Sequence, residues 1–271
     1  MLIEYSDRNF RFNHTYRTVN TVSFAAHSHE GFEIIYMIKC NATYLIDGKE
    51  YTLKPGDAIL TRPFSIHTLN VEPKSEYERF NIIFGENAIP LSILKKIPPS
   101  INVINFEGNK NVSSIFEKGE YYLSVLDKED IPQVLTGLIS ELLLNIIIEA
   151  KNEPQNTTEL IHPIAGRAIN YIENNLRTVS GIEEIAKELF ITKSHLHHIF
   201  MKYMNTSPKK YITTKRLALA QKEIVSGCKP TEVYMRCGFS DYSSFYRAYC
   251  KYFGRTPSDK SASNQGAKLK L

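Results

Sequence analysis

The sequence of 271 residues predicts an α+β chain: an N-terminal antiparallel β-sandwich or barrel followed by helices, then an all-α domain made of two helix-turn-helix units. Three observations carry this expectation. Short β-rich runs alternate with turn signals from about residue 20 to 85, the apolar period becomes helical after residue 110, and a helix, a tight turn and a second amphipathic helix occur twice, around 183–204 and 231–253. The expected domains are 1–150, a linker at 151–160, the double unit at 161–257 and a disordered tail at 258–271.

The predicted strands lie in GFEIIYMIK, ATYLIDGKEYTL, KPGDAILTRP and YERFNIIFG. Asp47-Gly48 is a strong hairpin signal, because both residue types tolerate positive φ, and Pro55-Gly56 marks the next corner. Helices follow in SSIFEKGEYYLSVL and IPQVLTGLISELLLNIIIEA. In the second, Ile131, Val134, Leu135, Leu138, Leu142 and Ile146 make one stripe that Ile139, Leu143 and Ile147 widen. Two readings of that wide face stand: an ordinary core helix, or a helix that also packs on a second subunit. The polar segment KNEPQNTTEL is the expected linker.

Charge divides the chain in the same place. Residues 1–160 carry 15 Lys/Arg and 21 Asp/Glu, a net of −6, whereas residues 161–271 carry 18 and 8, a net of +10; the two sum to the overall +4. A domain so basic suits a polyanion, since neutralising phosphates releases condensed counterions. Four cysteines without a Cys-x-x-Cys spacing argue against a disulfide framework. The N-terminus lacks a signal-peptide pattern, and no apolar run approaches the ~20 residues that span a bilayer, so a cytoplasmic chain with no membrane partner is expected.

In the first helix-turn-helix unit, IEEIAKEL precedes the turn Phe190-Ile191, and Thr192 caps KSHLHHIFMKYM. Leu196, Ile199, Phe200 and Tyr203 form the buried stripe of that second helix, leaving Ser194, His197, His198 and Met201 on the opposite face. A recognition helix needs this division, an apolar back that anchors it and polar side chains that face base edges. In the second unit Phe245, Ala248, Tyr249 and Tyr252 are the expected stripe, Ser240 or Asp241 the cap, and Tyr242, Ser243, Tyr246 and Arg247 the exposed face, with Cys250 beyond them. Arg247 is the best base reader, because a guanidinium pairs with guanine O6 and N7 together. Thr192, Lys193, Lys202, Lys209, Lys210, Ser240 and Lys251 are candidate backbone contacts, and Lys215 is read as a phosphate contact or a solvated charge. Between the units, Ser207, Pro208 and Gly227 bound a helix of about 19 residues, roughly 28 Å at 1.5 Å per residue. Such a spacer suits two helices entering successive major grooves about 34 Å apart.

Residues 165–257 resemble the dual helix-turn-helix domain of the AraC/XylS family of transcription regulators. The resemblance rests on IEEIAKEL, SHLHHIF, SPKKYI, KRLALA and CGFSDYSSFYRAYCKYFGRTP in that order; the last contains Gly238-Phe239-Ser240, Ser243, Phe245, Phe253-Gly254 and Thr256-Pro257 of the family's C-terminal signature. Two departures stand out: Phe190 occupies a turn position where the family has Gly, and Tyr234 a position where it has Ala. A less regular second unit is expected from them. The resemblance implies double-stranded promoter DNA, a small-molecule effector, RNA polymerase and a second copy of the chain as partners.

His27, His29 and Glu33 share odd parity and so one face of an extended segment, and His67 follows Gly56 by eleven residues. AHSHEGFEII with PGDAILTRPFSIH resembles the two cupin motifs, and cupin sandwiches are the common sensor of this regulator family. That resemblance makes His27, His29, Glu33 and His67 the candidate ligand residues, for a sugar-like metabolite or, with no cofactor favoured, a divalent metal. The leading function is a ligand-controlled, sequence-specific regulator and not an enzyme. A metal-dependent cupin enzyme with an accessory DNA-binding domain and an architectural DNA binder without sequence preference are the competitors.

Overall fold

The computed structural model describes residues 2–18, 22–152 and 160–259. Its strands β1 (Ile3–Ser6), β2 (Phe10–Thr18), β3 (Val22–Ser23), β4 (Phe32–Lys39), β5 (Ala42–Ile46), β6 (Lys49–Leu53), β7 (Asp57–Thr61), β8 (His67–Val71) and β9 (Glu76–Phe84) are followed by α1 (Leu91–Leu94) and β10 (Val103–Asn105). Helices α2 (Lys110–Val125) and α3 (Ile131–Asn152) complete the N-terminal part. Strand β11 (Leu160–Ile161) then leads into α4 (Pro163–Asn174), α5 (Ile182–Glu188), α6 (Lys193–Met204), α7 (Pro208–Val225), α8 (Pro230–Arg236) and α9 (Tyr242–Phe253).

The strands pair antiparallel in two sheets, ordered β1-β2-β9-β4-β7-β10 and β11-β6-β5-β8-β3. Strand β4 shows how an almost continuous apolar run supports this arrangement, because its two faces enter different cores. Ile35 and Met37 join Tyr44, Leu69 and Tyr77 in the sandwich interior, while Ile34 and Tyr36 join Phe116, Leu142 and Ile146 under α2 and α3. Glu33, in phase with Ile35, is thereby carried to the interior face. Asp47 and Gly48, at φ 44° and 82°, form the β5–β6 hairpin turn that their residue types allow.

Helix α3 serves as a core helix of this chain. Ile131, Leu135, Leu138, Ile139, Leu142, Leu143, Ile146 and Ile147 are all buried within the chain, and only Leu144 and Ile148 of its large apolar residues are exposed. By length and composition α3 would suffice to cross a bilayer, contrary to the expectation that no segment does, but its apolar surface covers the sandwich instead.

Regular structure enters both ends of the expected linker. Lys151 and Asn152 still belong to α3, and Leu160 pairs with Glu50 of β6, so strand pairing reaches across the proposed boundary. Residues 153–159 of that linker, and residues 260–271 of the expected tail, lie outside the described residues.

The double unit has the predicted order. Thr192 caps α6 by accepting from His195 N, Ser207 caps α7 by accepting from Lys210 N, and Asp241 rather than Ser240 caps α9 by accepting from Ser244 N. Tyr234, expected to disturb the second unit, is accommodated with its ring edge-on to Tyr242 at 5.7 Å. Phe190 does adopt the conformation that favours Gly: φ is 56° and the side chain is 92% exposed. Phe190→Gly should therefore raise stability by roughly 0.5–1 kcal/mol, by relieving left-handed strain without removing packing; chemical denaturation would measure it. A loss of stability would show that the exposed ring contributes packing.

Candidate functional site

Helices α6 and α9 are the same device built twice. Their N-caps, Thr192 and Asp241, are 49 positions apart (241 − 192), and this offset maps Leu196 onto Phe245, Phe200 onto Tyr249 and Met204 onto Phe253, all buried. It also maps the left-handed C-caps Asn205 and Gly254 onto each other. On the outer faces Ser194 corresponds to Ser243, His197 to Tyr246 and His198 to Arg247, and all six are exposed. Tyr242 is only half-buried, beside Tyr234, Phe245 and Tyr246. Two tyrosines of the expected stripes depart from them: Tyr203 is half-buried and stacks on His162 at 4.1 Å, while Tyr252 is turned toward the N-terminal domain.

Of the candidate backbone contacts, Thr192, Lys193, Lys202, Lys209, Lys210, Ser240 and Lys251 are exposed. Lys193 meets Glu183 at 2.8 Å, a solvated pair of small energetic weight. Lys215 is not a solvated charge. It pairs at 3.0 Å with Asp47 of the β5–β6 hairpin, and both side chains are largely covered.

The N-terminal candidates converge, although a bend at Glu30-Gly31 breaks the extended segment between His29 and Glu33. Donor atoms of His27, His29 and His67 all lie within 4.8 Å of one another. His27 and His67 are tied by reciprocal backbone hydrogen bonds of 3.1 and 3.0 Å, an isolated antiparallel bridge that places the two imidazoles side by side. Each ring faces a carbonyl through Nδ1: Ala25 O for His27 at 3.0 Å, Gly31 O for His29 at 2.9 Å and Ser65 O for His67 at 2.9 Å. A carbonyl only accepts, so each Nδ1 donates and each Nε2 is left for the centre.

Glu33 closes the cluster, its Oε2 3.1 Å from His67 Nε2 and 3.7 Å from His29 Nε2. Tyr44 Oη donates to Oε2 at 3.1 Å and Asn81 Nδ2 donates to Oε1. Burial opposes ionisation of Glu33, but the two imidazoles outweigh it and hold the carboxyl well below its usual range. For His67, burial favours the neutral ring and the adjoining Glu33 outweighs it, so its pKa rises; burial lowers that of His27. The buried Nε2 atoms of His29 and His67 are aligned with no hydrogen-bond partner, although they lie at ion-pair distance from the carboxylate.

Three imidazoles oriented through Nδ1–H···O=C bonds, with a buried carboxylate among them, fit the donor set of a divalent transition metal. The sandwich interior behind them is filled by Ile35, Met37, Tyr44 and Tyr77. Tyr44, Asn81 and the hairpin residue Asp47 went unrecognised in the sequence, where a tyrosine in a β-rich run carries no sign of the carboxylate that it will meet.

Comparison with known proteins follows the same division. The family described as AraC-like ligand binding domain matches residues 12–159, and the family described as helix-turn-helix domain matches residues 185–262. The probable transcriptional regulator LumQ of Photobacterium leiognathi is 35% identical over 89 residues, 32% of this chain and 36% of LumQ. The HTH-type transcriptional regulator ArgR of Pseudomonas aeruginosa is 30% identical over 138 residues, 49% of this chain and 42% of ArgR. The chain thus spans less than half the length of either relative. A crystal structure of apo ToxT from Vibrio cholerae covers 96% of this chain and 99% of its own, at 13% identity and a TM-score of 0.42.

Proposed function

This chain belongs to the AraC-type family, whose ligand-binding domain spans residues 12–159, more than half its length, and from that membership we propose that it is a sequence-specific transcription regulator controlled by an effector in its sandwich domain. The observation that carries the reading is the repeated recognition helix, with buried backs and polar faces in register, in a region of net charge +10 (18 − 8). The two faces differ in every position but the serine. Each monomer therefore reads a directional site, one half through Ser194, His197 and His198 and the other through Ser243, Tyr246 and Arg247. The exposed lysines flanking them supply sequence-independent phosphate contacts. A second copy of the chain and RNA polymerase complete the proposed assembly on promoter DNA.

Selection of bound duplexes from a random-sequence pool tests this function. Enrichment of one asymmetric motif supports it, and binding without enrichment would reduce the chain to an architectural binder.

Of the effectors that the sequence leaves open, three converging imidazoles beside a buried carboxylate support a divalent transition-metal ion over a sugar. His27, His29, His67 and Glu33 would hold it, and the ion would place its positive charge beside the buried carboxylate. The expected result is uptake of one Zn²⁺ per chain by isothermal titration, weakened at least tenfold in His67→Ala, a loss in line with the cost of disturbing metal-site residues. Equal uptake by the variant would place the ion elsewhere.

A further inference from the structure

The segment that supplies two of the three histidines also holds the reader domain, by its alternate residues. His27 and His29 point into the cluster, whereas Ser28 and Glu30 point out of the sandwich to the end of α9. Ser28 Oγ lies 2.6 Å from Tyr252 Oη, and Glu30 accepts a two-pronged bond from Arg255, at 2.9 Å from Nη1 and 2.8 Å from Nη2. Both partners of the ion pair are largely covered, at 8% and 15% side-chain exposure, so it is far less screened than a surface pair. Phe64 adds ring contacts with Tyr252 and Phe253, and its N–H donates to His29 O at 2.8 Å.

The first unit is held differently. Ala26 and Ile66 enter a continuous apolar cluster with Ile169, Phe200, Met204 and Tyr211. Gly48 sits so close to α4 that a Cβ there would come 2.6 Å from Ile169 Cδ1. Strand pairing of β11 with β6 runs beside this contact, and Lys215 bonds to Asp47. Ala26 and Ile66 adjoin His27 and His67, but Gly48 against Ile169, β11 on β6 and Lys215 on Asp47 add holds on the first unit from segments that carry none of the three histidines. The polar grip beside α9 comes from Ser28 and Glu30, the residues on either side of His29.

We propose that the two reader units have different standing: the first is a fixed anchor on the sensor, and the second is the switched unit, gripped or released through Ser28 and Glu30 according to the occupancy of the histidine cluster. This rests on the metal reading above. Imidazoles that ligate one ion lie ~2.0–2.1 Å from it, which requires nitrogens now as much as 4.8 Å apart to draw together. His27 is the exposed member of the three and the one with room to move. Ser28 moves with it, and the interleaved Glu30 follows His29. Such a contact is a two-state element whose balance the bound ion can bias.

The test uses the full chain and Zn²⁺ alone, with uptake measured by titration and hydrogen exchange followed separately in α6 and α9. Zn²⁺ is expected to change exchange of the 242–253 amides at least fivefold while the 193–204 amides change less than twofold. The double variant Ser28→Ala, Glu30→Gln should take up Zn²⁺ like the parent but lose the response in α9. An equal response of both helices, or an undiminished response in the variant at full Zn²⁺ uptake, would overturn the division into anchor and switched unit. Absence of uptake by the parent chain overturns the metal reading itself, and this proposal with it; the titration tells these failures apart.

Discussion

Gly238→Ala should cost about 3 kcal/mol and disable the second reader unit. Gly238 lies in the turn between α8 and α9 at φ 85°, where a side chain incurs roughly 1–2 kcal/mol of left-handed strain. The added methyl would also meet Arg177 O at 2.8 Å and Arg216 Nε at 2.7 Å. Neither neighbour yields easily. Arg177 O is backbone, and Arg216 donates to Leu176 O at 2.9 Å and Val179 O at 2.6 Å, bonds worth roughly 0.5–1.5 kcal/mol each. Thermal unfolding should show a clear drop, and affinity for the selected duplex should fall with it. Gly137→Ala is the control: that glycine lies in α3, and its new methyl meets nothing within 4 Å. A Gly238→Ala chain as stable as the parent would show that the turn can relax without moving Arg216.

Arg247→Ala is expected to lose about 1–3 kcal/mol on the selected site and little on unrelated DNA. Arg247 is exposed on α9 at the position that matches His198 on α6, with Phe245 and Tyr249 buried behind it. Its removal should therefore leave the fold unchanged. The comparison that decides its role is Lys251→Ala, an exposed charge in the last turn of the same helix, which should weaken all duplexes alike and flatten the salt dependence. A loss for Arg247→Ala that is equal on every sequence would make it a phosphate contact.

The parts of the fold that were legible in the sequence are those that local chemistry settles. Thr192 and Asp241 find N–H groups three residues on, Asp47-Gly48 turns a hairpin, and period 3.6 separates Leu196 and Phe200 from Ser194 and His198. These relations span a turn or less, so they hold before the chain packs. His27, His29 and Glu33 do converge, but not on the one extended segment that parity assumes: the chain bends at Glu30-Gly31, His27 pairs with His67, and Glu33 lies in β4 of the other sheet. Strands β1, β2 and β10 went unread, since the polar run FRFNHTYRT and the three-residue VIN have little signal apart from the partners they pair with.

What periodicity left open was the identity of the neighbour. Tyr252 has the spacing of a core residue and bonds instead to Ser28, 224 positions earlier; Lys215 resembles the other lysines and is paired with Asp47 across 168 positions. Ser28 and Glu30 carry no sign in the sequence of the Tyr252 and Arg255 that they meet. The sequence could specify a double reader because caps and period 3.6 follow from short-range backbone geometry, whereas the ligand cluster was legible only through its resemblance to the cupin motifs, since His67 reaches His27 and Glu33 by long-range pairing. That one backbone segment serves the cluster on one side and the second recognition helix on the other is a long-range coincidence of surfaces, which no local period encodes and only packing brings about.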